Sequence, residues 1–564
     1  MSGQDEKNVY TRPDAVHLAP ARVEHHDILP SDEEVGVVRP NKPGQDDGSI
    51  ANGTLHRQLK GRHMQMIAIG GAIGAGLFVG SGGALHAGGP ASLVICYLIV
   101  GVMLLFTCQA LAELAVLYPV NGAFYSYVVR FVDPAWGFAT GWDYALTWLT
   151  VLPFELTAAS ITIRFWREDL NEGIWIAVFL VVLMSIQVFG VKGYGEVEFV
   201  LSMVKVCACV GFIILGIVIN VGGVGSQGYL GAKYWHDPGA FQNGFNGFAS
   251  VFVVAAFSFG GTELVGLAAA ETKNPLKSIP TASKQVFMRI ACFYIVNLFM
   301  LGLILPATDS RLLGAEGANS KASPFVLAIQ DAGIKVLPSI FNAVITISVI
   351  SVANSCTFGS TRTMQALAEH GMAPKFLAHV DRKGRPIWCI VVQFAFGLLA
   401  FIGESGQATT VFNWLLSLSG LSFLFVWGSI CLTHIRFRYV WKAKGRTLDQ
   451  IPYKPNFGVY GSCIGLFLNI VCLIASFYSA LYPSPGAKPS ASVFFQKYLC
   501  LPIVLFLYVG WKVYARDWRL YVPTEDIDVL DGLCDFVPPP LEEDRAPKKW
   551  SNLPRRVYNQ LFRG

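Results

Sequence analysis

"AIGGAIGAGLFVGSG", residues 68–82, heads a long apolar stretch, and its reading decides the fold. The run has the length and apolar character of a membrane-crossing helix, yet Gly70, Gly71, Gly74 and Gly76 fall in its middle. Each glycine costs roughly 1 kcal/mol of helix stability relative to alanine. The clustering marks a place where helix is given up. In hydrocarbon that has a consequence: an unpaired N–H or C=O costs several kcal/mol and must find another partner. A second stretch repeats the pattern. "VFVVAAFSFGGTELVGLAAAET", residues 251–272, is interrupted at Gly260-Gly261 and then carries an acid, Glu263.

The rest of the chain supplies the setting. Of 564 residues, 53% are hydrophobic and 14% charged, against about 25% charged in soluble proteins. Apolar runs of about 20 residues recur throughout, whereas the ~10-residue alternating segments of a membrane barrel are absent. The expected fold is an all-α polytopic membrane protein with twelve transmembrane helices. They cover 64–84, 91–117, 135–162, 173–191, 197–220, 246–269, 286–306, 337–358, 387–404, 409–434, 457–481 and 496–514. Gly-interrupted segments at matching positions in two halves point to an inverted repeat with a midplane site. Spans 1–5 and 6–10 form the repeats, spans 1 and 6 are discontinuous, and spans 11 and 12 are appended. Unbroken helix from Met66 to Gly82 and from Val251 to Leu267 would overturn this reading.

Residues 1–60 are polar and Pro-rich and are expected to be a disordered tail, 61–515 the transporter core, and 516–564 a C-terminal tail. Basic residues concentrate in loops on the tail side, as in Arg382, Lys383 and Arg385, or Arg436, Arg438, Lys442, Lys444 and Arg446. They are sparse on the other side, which places both tails in the cytoplasm. The sequon Asn52-Gly53-Thr54 then stays unglycosylated. The twelve cysteines make neither a CxxC pair nor a metal-ligand spacing and are expected to pack as small hydrophobes. No metal, cofactor or nucleic-acid partner is expected. No HExxH, GxSxG or Walker pattern argues for an enzyme.

A helix that stops at mid-membrane presents free N–H groups at one end and free C=O groups at the other. An amino-acid zwitterion complements both, since its carboxylate accepts and its ammonium donates. The glycines let backbone approach such a ligand directly. Buried ionisable residues are costly in a membrane and usually functional. Glu263 follows the second break, Glu155 lies deep in span 3, Glu113 in span 2, and Lys205 about nine residues into span 5. A bland role, bracing helix contacts, stands beside proton exchange for each, most of all for Glu155 and Glu113. Asp143 and Tyr144, near the start of span 3, are placed at the membrane interface, and Trp142 and Trp148 are interface or packing aromatics.

Five stretches carry a resemblance: "GGAIGAGLFVGSGGALHAGGPA" (70–91), "WDYALTWLTVLPFELTAASIT" (142–162), residues 251–272, "SVANSCTFGSTRTMQALAEHGMAP" (351–374) and "HVDRKGRPIWCI" (379–390). In these the chain resembles the fungal amino-acid permeases of the amino acid–polyamine–organocation superfamily, and most of all the general amino-acid permeases. The resemblance implies that the N–H groups of Ala75 and Gly76, in the turn begun by Gly74, hold a substrate carboxylate. It implies that carbonyls of Ala72, Phe257 and Gly260 receive the ammonium, that Phe257 acts as a lid, and that Ser258 and Thr262 shape the side-chain pocket. Lys205 matches a position at which sodium-coupled relatives bind a cation, so its ammonium would replace sodium and, with Glu263 and Glu155, couple transport to protons. The function implied is proton-coupled uptake of amino acids of broad range across the plasma membrane. An exchanger without net proton flow and an amino-acid-sensing receptor are the alternatives. The partners are then an amino acid, a proton and the lipid bilayer. Lys7 and Lys42 resemble tail lysines that ubiquitin-ligase machinery uses in fungal permeases.

Overall fold

The computed structural model describes residues 58–534 apart from 168, 225–227, 314–322, 406–407 and 483–487. Lys7, Lys42 and the sequon at Asn52 lie outside the described residues, as do residues 535–564. Helix makes up the described chain, and the sole pairing of strand type there is an isolated parallel bridge between Leu59 and Thr272. The helices that carry the architecture are α1 (Gly61–Gly70), α2 (Ser81–Leu117), α3 (Pro134–Ile163), α4 (Glu172–Gln187), α5 (Gly190–Asn220) and α6 (Gly244–Phe259). They continue as α7 (Pro275–Met288), α8 (Leu337–Glu369), α9 (Ile387–Gly397), α10 (Ala408–Ala443), α11 (Gly458–Leu481) and α12 (Cys500–Ala515). By length and apolar composition alone, eight helices among the described residues are able to cross a membrane, or up to nine if the bent pair Ala491–Tyr498 and Cys500–Ala515 is one span.

Both expected interruptions are present. α1 ends at Gly70, the backbone loses helical bonding over residues 71–74, and helix restarts as a π-helical turn, Gly76–Gly80. α6 ends at Phe259, Gly261 takes a left-handed φ of 97°, and helix restarts at Leu264–Leu267. Glycine is required at 261, because an L side chain is strained at that φ. A third reversal, at Gly89 (φ 81°) before Pro90, turns the chain inside the stretch that runs as α2. There a Cβ would sit 2.7 Å from the Ala240 carbonyl oxygen.

α3 forms the centre of the bundle, packed on α8, α10 and α12, and its apolar segment is 89% buried. That central position puts Asp143 and Tyr144 inside the bundle. Both are interior, at 2% and 0% exposure. They lie about ten residues, or ~15 Å, beyond the helix start at Pro134, and neighbouring helices cover every side of α3. Asp143 accepts from Ser422 Oγ at 2.6 Å and Cys500 Sγ at 3.3 Å. Trp148 is a packing aromatic, set edge-on against Tyr144 and Phe423. Glu113 braces α2 against α10, with Arg438 at 2.6 Å and His434 at 3.2 Å.

At the end of the bundle where α1 begins, the chain before α1 is stitched to the chain after the second break. Leu59 N–H donates to the Glu271 carbonyl and Lys273 N–H to the Leu59 carbonyl, each at 3.0 Å. The Glu271 carboxylate, nearly fully buried, pairs with Arg362 of α8 at 2.7 Å. Residues 517–534 lie against this same end. Cys534 N–H donates to the Leu117 carbonyl, Tyr118 Oη to the Val529 carbonyl, and Arg130 pairs with Asp531 at 2.6 Å.

Breaking a buried ion pair leaves one uncompensated charge, at about 3–5 kcal/mol. Arg362→Ala is therefore expected to lower the melting temperature of the detergent-solubilised protein. Adding Glu271→Ala should recover part of the loss, as read by size-exclusion thermostability. Equal melting temperatures for Arg362→Ala and the unaltered protein would rule the clamp out.

Candidate functional site

The two interruptions meet. A Cβ on Gly76 would lie 2.6 Å from the Ser258 Cα, so the backbones of the two broken helices are in contact. Beside the crossing is a small cavity lined by Ala72, Gly74, Gly76, Trp148, Val151, Glu155, Phe257, Gly260, Val352 and Phe423. It contributes about 10 Å³ of open space, no more than one water needs. The conformation is thus closed around the crossing, and any larger ligand requires side chains to swing aside. Phe257 lines the cavity, and its ring packs edge-on against Phe154, centroids 4.9 Å apart.

Five of the eight expected ligand-contacting residues line this cavity: Ala72, Gly74, Gly76, Phe257 and Gly260. Ala75 presents its backbone N–H to the Glu155 carboxylate. Ser258 and Thr262 face elsewhere. The Ser258 hydroxyl lies 2.7 Å from Tyr97 Oη and donates to the Val254 carbonyl at 2.8 Å. Thr262 Oγ1 donates to the Phe259 carbonyl at 2.7 Å and accepts from Arg289, behind the break. A glycine-rich segment directs backbone towards a ligand, whereas a hydroxyl within it can close on its own helix by bonding the i−3 or i−4 carbonyl.

The backbone groups freed at the breaks have found partners. Gly260 N–H returns to the Phe257 carbonyl at 3.1 Å. Gly261 N–H donates to Glu263 Oε1 at 3.1 Å, and the same carboxylate accepts from Tyr144 Oη at 2.9 Å and Trp427 Nε1 at 3.1 Å. Glu263 therefore ties the second break to α3 and α10. Tyr294 Oη reaches both the Ala72 carbonyl, at 3.1 Å, and the Ser258 carbonyl, at 2.8 Å, bridging one break to the other. Arg289, fully buried, donates to the Ala68 carbonyl at 2.9 Å and to Thr262.

The titratable residues fall into two groups. Glu155 lines the cavity, and its Oε2 has no hydrogen-bond partner among the described residues. Lys205 is fully buried on α5 within electrostatic reach of Glu155, and its Nζ lies 3.7 Å from Glu198 Oε1. Glu263, held by three donors, stands apart from that group.

Glu198, Arg289 and Tyr294 escaped the sequence reading. Two had a signal. Glu198 and Lys205 are seven residues apart on one helix, hence on one face two turns apart, and Arg289 is a charge a few residues inside span 7. Tyr294 had none, since its partners are backbone atoms of distant segments. Among the described residues, no group of three His, Cys, Asp or Glu side chains is arranged to hold a metal ion.

Buried charge at paired helix breaks in a polytopic helical bundle is the arrangement of a membrane transporter, and comparison with known proteins specifies the family. The amino acid permease family model matches residues 63–523. The general amino-acid permease GAP1 of Saccharomyces cerevisiae is 48% identical, over 99% of this chain and 91% of its own. The general amino-acid permease GAP2 of Candida albicans is 49% identical over 93% and 90%. The cationic amino acid transporter 1 of Schizosaccharomyces pombe is 50% identical over 93% and 88%. The chain belongs to the amino acid permease family, a family of transporters rather than enzymes.

At Gly76 the nearest obstacle to a side chain is backbone, which cannot swing away. Gly76→Ala is expected to cut amino-acid uptake by at least about tenfold, since ~1 Å of misplacement at a site is that costly. Gly211→Ala on α5, where a Cβ meets open space, should leave uptake within about twofold. Radiolabelled uptake, normalised to surface protein, checks both.

Proposed function

We propose that this chain takes up amino acids of broad range across the plasma membrane, coupled to protons, by alternating access in a twelve-span bundle with inverted repeats and both tails cytoplasmic. The observation that carries the reading is the cavity where two interrupted helices cross, lined by backbone from both and by one carboxyl group, Glu155. The substrate carboxylate is bound by the N–H groups of Ala75 and Gly76, displacing Glu155. The ammonium is bound by carbonyls of Ala72, Phe257 and Gly260, with Phe257 as lid. These contacts use only atoms common to all α-amino acids, which favours a broad range. The names of three similar proteins, two general amino-acid permeases and a cationic amino acid transporter, support the substrate class.

Proton coupling is assigned to Glu155 and Lys205. Glu155 both contacts the Ala75 N–H and faces the Lys205 ammonium, so the arrival of a second carboxylate at that N–H favours its protonation through like-charge repulsion. In this reading Glu263 braces the break, because a carboxylate held by three donors is already satisfied. One positive charge moving inward gains ~2.3 kcal/mol per 100 mV, about fifty-fold in accumulation. Uptake is measured in proteoliposomes across an amino-acid panel, with Lys205→Ala and Glu155→Gln in parallel. Both variants are expected to lose accumulation driven by pH while Glu263→Gln loses protein stability instead. Lys205→Ala and Glu155→Gln that still concentrate substrate would sink the proton-coupled reading in favour of exchange. Failure of the unaltered protein to move any amino acid would favour a sensing receptor.

A further inference from the structure

Glu198 takes no part in the scheme so far, yet it is fully buried on α5 and completely bonded. Its Oε1 accepts from Ser202 Oγ at 2.9 Å and lies 3.7 Å from Lys205 Nζ. Its Oε2 accepts from Ser351 Oγ of α8 at 2.7 Å. Lys205 therefore has one carboxylate, Glu198, at 3.7 Å and a second, the cavity-lining Glu155, within electrostatic reach. Ser202 adds the decisive contact. Its Oγ is also 3.3 Å from the carbonyl oxygen of Met66, on α1, the first half of the interrupted helix. A serine hydroxyl has one proton and serves one acceptor well at a time. A charged acceptor makes the stronger bond, so an ionised Glu198 holds the Ser202 proton, and a protonated Glu198 leaves it to Met66.

We propose that Glu198 accepts the proton carried by Lys205, and that Ser202 converts the charge of Glu198 into the hold or release of α1. The inference rests on the proton-coupled reading above. In the transfer, an N–H bond of the Lys205 ammonium breaks and its electron pair stays on nitrogen as the neutral amine. The O–H bond forms on Glu198 Oε1. Later loss of that proton to water on the tail side restores the carboxylate. The pair must close from 3.7 Å to about 2.8 Å for the transfer, a shift within reach of a lysine side chain. Tyr194, on the same helix, also faces Glu198, and Arg362 of α8 in turn acts on Tyr194; Glu155 of α3 acts on Lys205, and His63 of α1 lies beside Gly195.

The test uses the full-length protein in liposomes, with Glu198→Gln, Ser202→Ala and Ser202→Thr. Three quantities are read: amino-acid counterflow, accumulation driven by a pH gradient, and proton entry by an internal pH dye. Glu198→Gln is expected to keep counterflow within about twofold while accumulation falls at least about tenfold and proton entry is lost. Ser202→Ala should show the same split in milder form, and Ser202→Thr, which keeps the hydroxyl, should restore it. Glu198→Gln that accumulates normally, or that loses counterflow in proportion to accumulation, overturns the proposal. If Gln at 198 prevents insertion, Ser202→Ala decides, and its normal accumulation overturns the proposal as well. Lys205→Ala and Glu155→Gln keep the two readings apart. Loss in these with normal accumulation in Glu198→Gln removes Glu198 alone, whereas normal accumulation in all three removes proton coupling itself.

Discussion

A peptide group away from water must be bonded, and the interior of this protein is organised around the places where its own helices do not bond it. The N–H and C=O groups freed at each break would cost several kcal/mol apiece if left alone, far more than the glycines that cause the breaks. Side chains, mostly from other helices, meet that demand. Tyr294 serves the Ala72 and Ser258 carbonyls, Arg289 the Ala68 carbonyl, Glu263 the Gly261 N–H and Glu155 the Ala75 N–H. These partners differ in how firmly they are held. Arg289 and Glu263 have several bonds each and fix the geometry. Glu155 has one oxygen unbonded among the described residues and is held less firmly.

The same demand explains why so much charge is buried together. A lone ammonium or carboxylate in a low-dielectric interior is destabilising, and breaking such a pair costs more than the pair ever contributes. Lys205 has Glu198 at 3.7 Å and Glu155 within electrostatic reach, and both help to accommodate it. An arrangement with one cation and two anions has more than one acceptable proton distribution, unlike the Arg362–Glu271 pair, whose guanidinium keeps its proton. The first is suited to switching and the second to clamping. The clamp sits where α1 begins, with the Leu59–Thr272 bridge beside it, so the conformation described is closed at that end as well as around the cavity.

Sequence reading and structure diverge in an ordered way. The breaks at residues 71–74 and 260–263 were legible because glycine acts locally, whatever surrounds it. Ser258 and Thr262 were placed towards the ligand by resemblance, yet their hydroxyls bond carbonyls of their own helix and groups behind it. The position of Asp143 and Tyr144 near the start of a span does not reveal that other helices cover them, because burial in a bundle depends on which helix is central.

By itself the sequence determined the helical, membrane-spanning character of the chain, the two interrupted helices, and the presence of Lys205, Glu155 and Glu263 inside it. Those follow from composition and from short-range backbone preference, which act within a turn or two of helix. Only the tertiary structure decided that the breaks cross at Gly76 and Ser258, that Tyr294 and Arg289 complete them, and that Ser202 lies between Glu198 and Met66. Such pairings join residues far apart in the chain, and an isolated helix contains no information about which neighbour its face will meet.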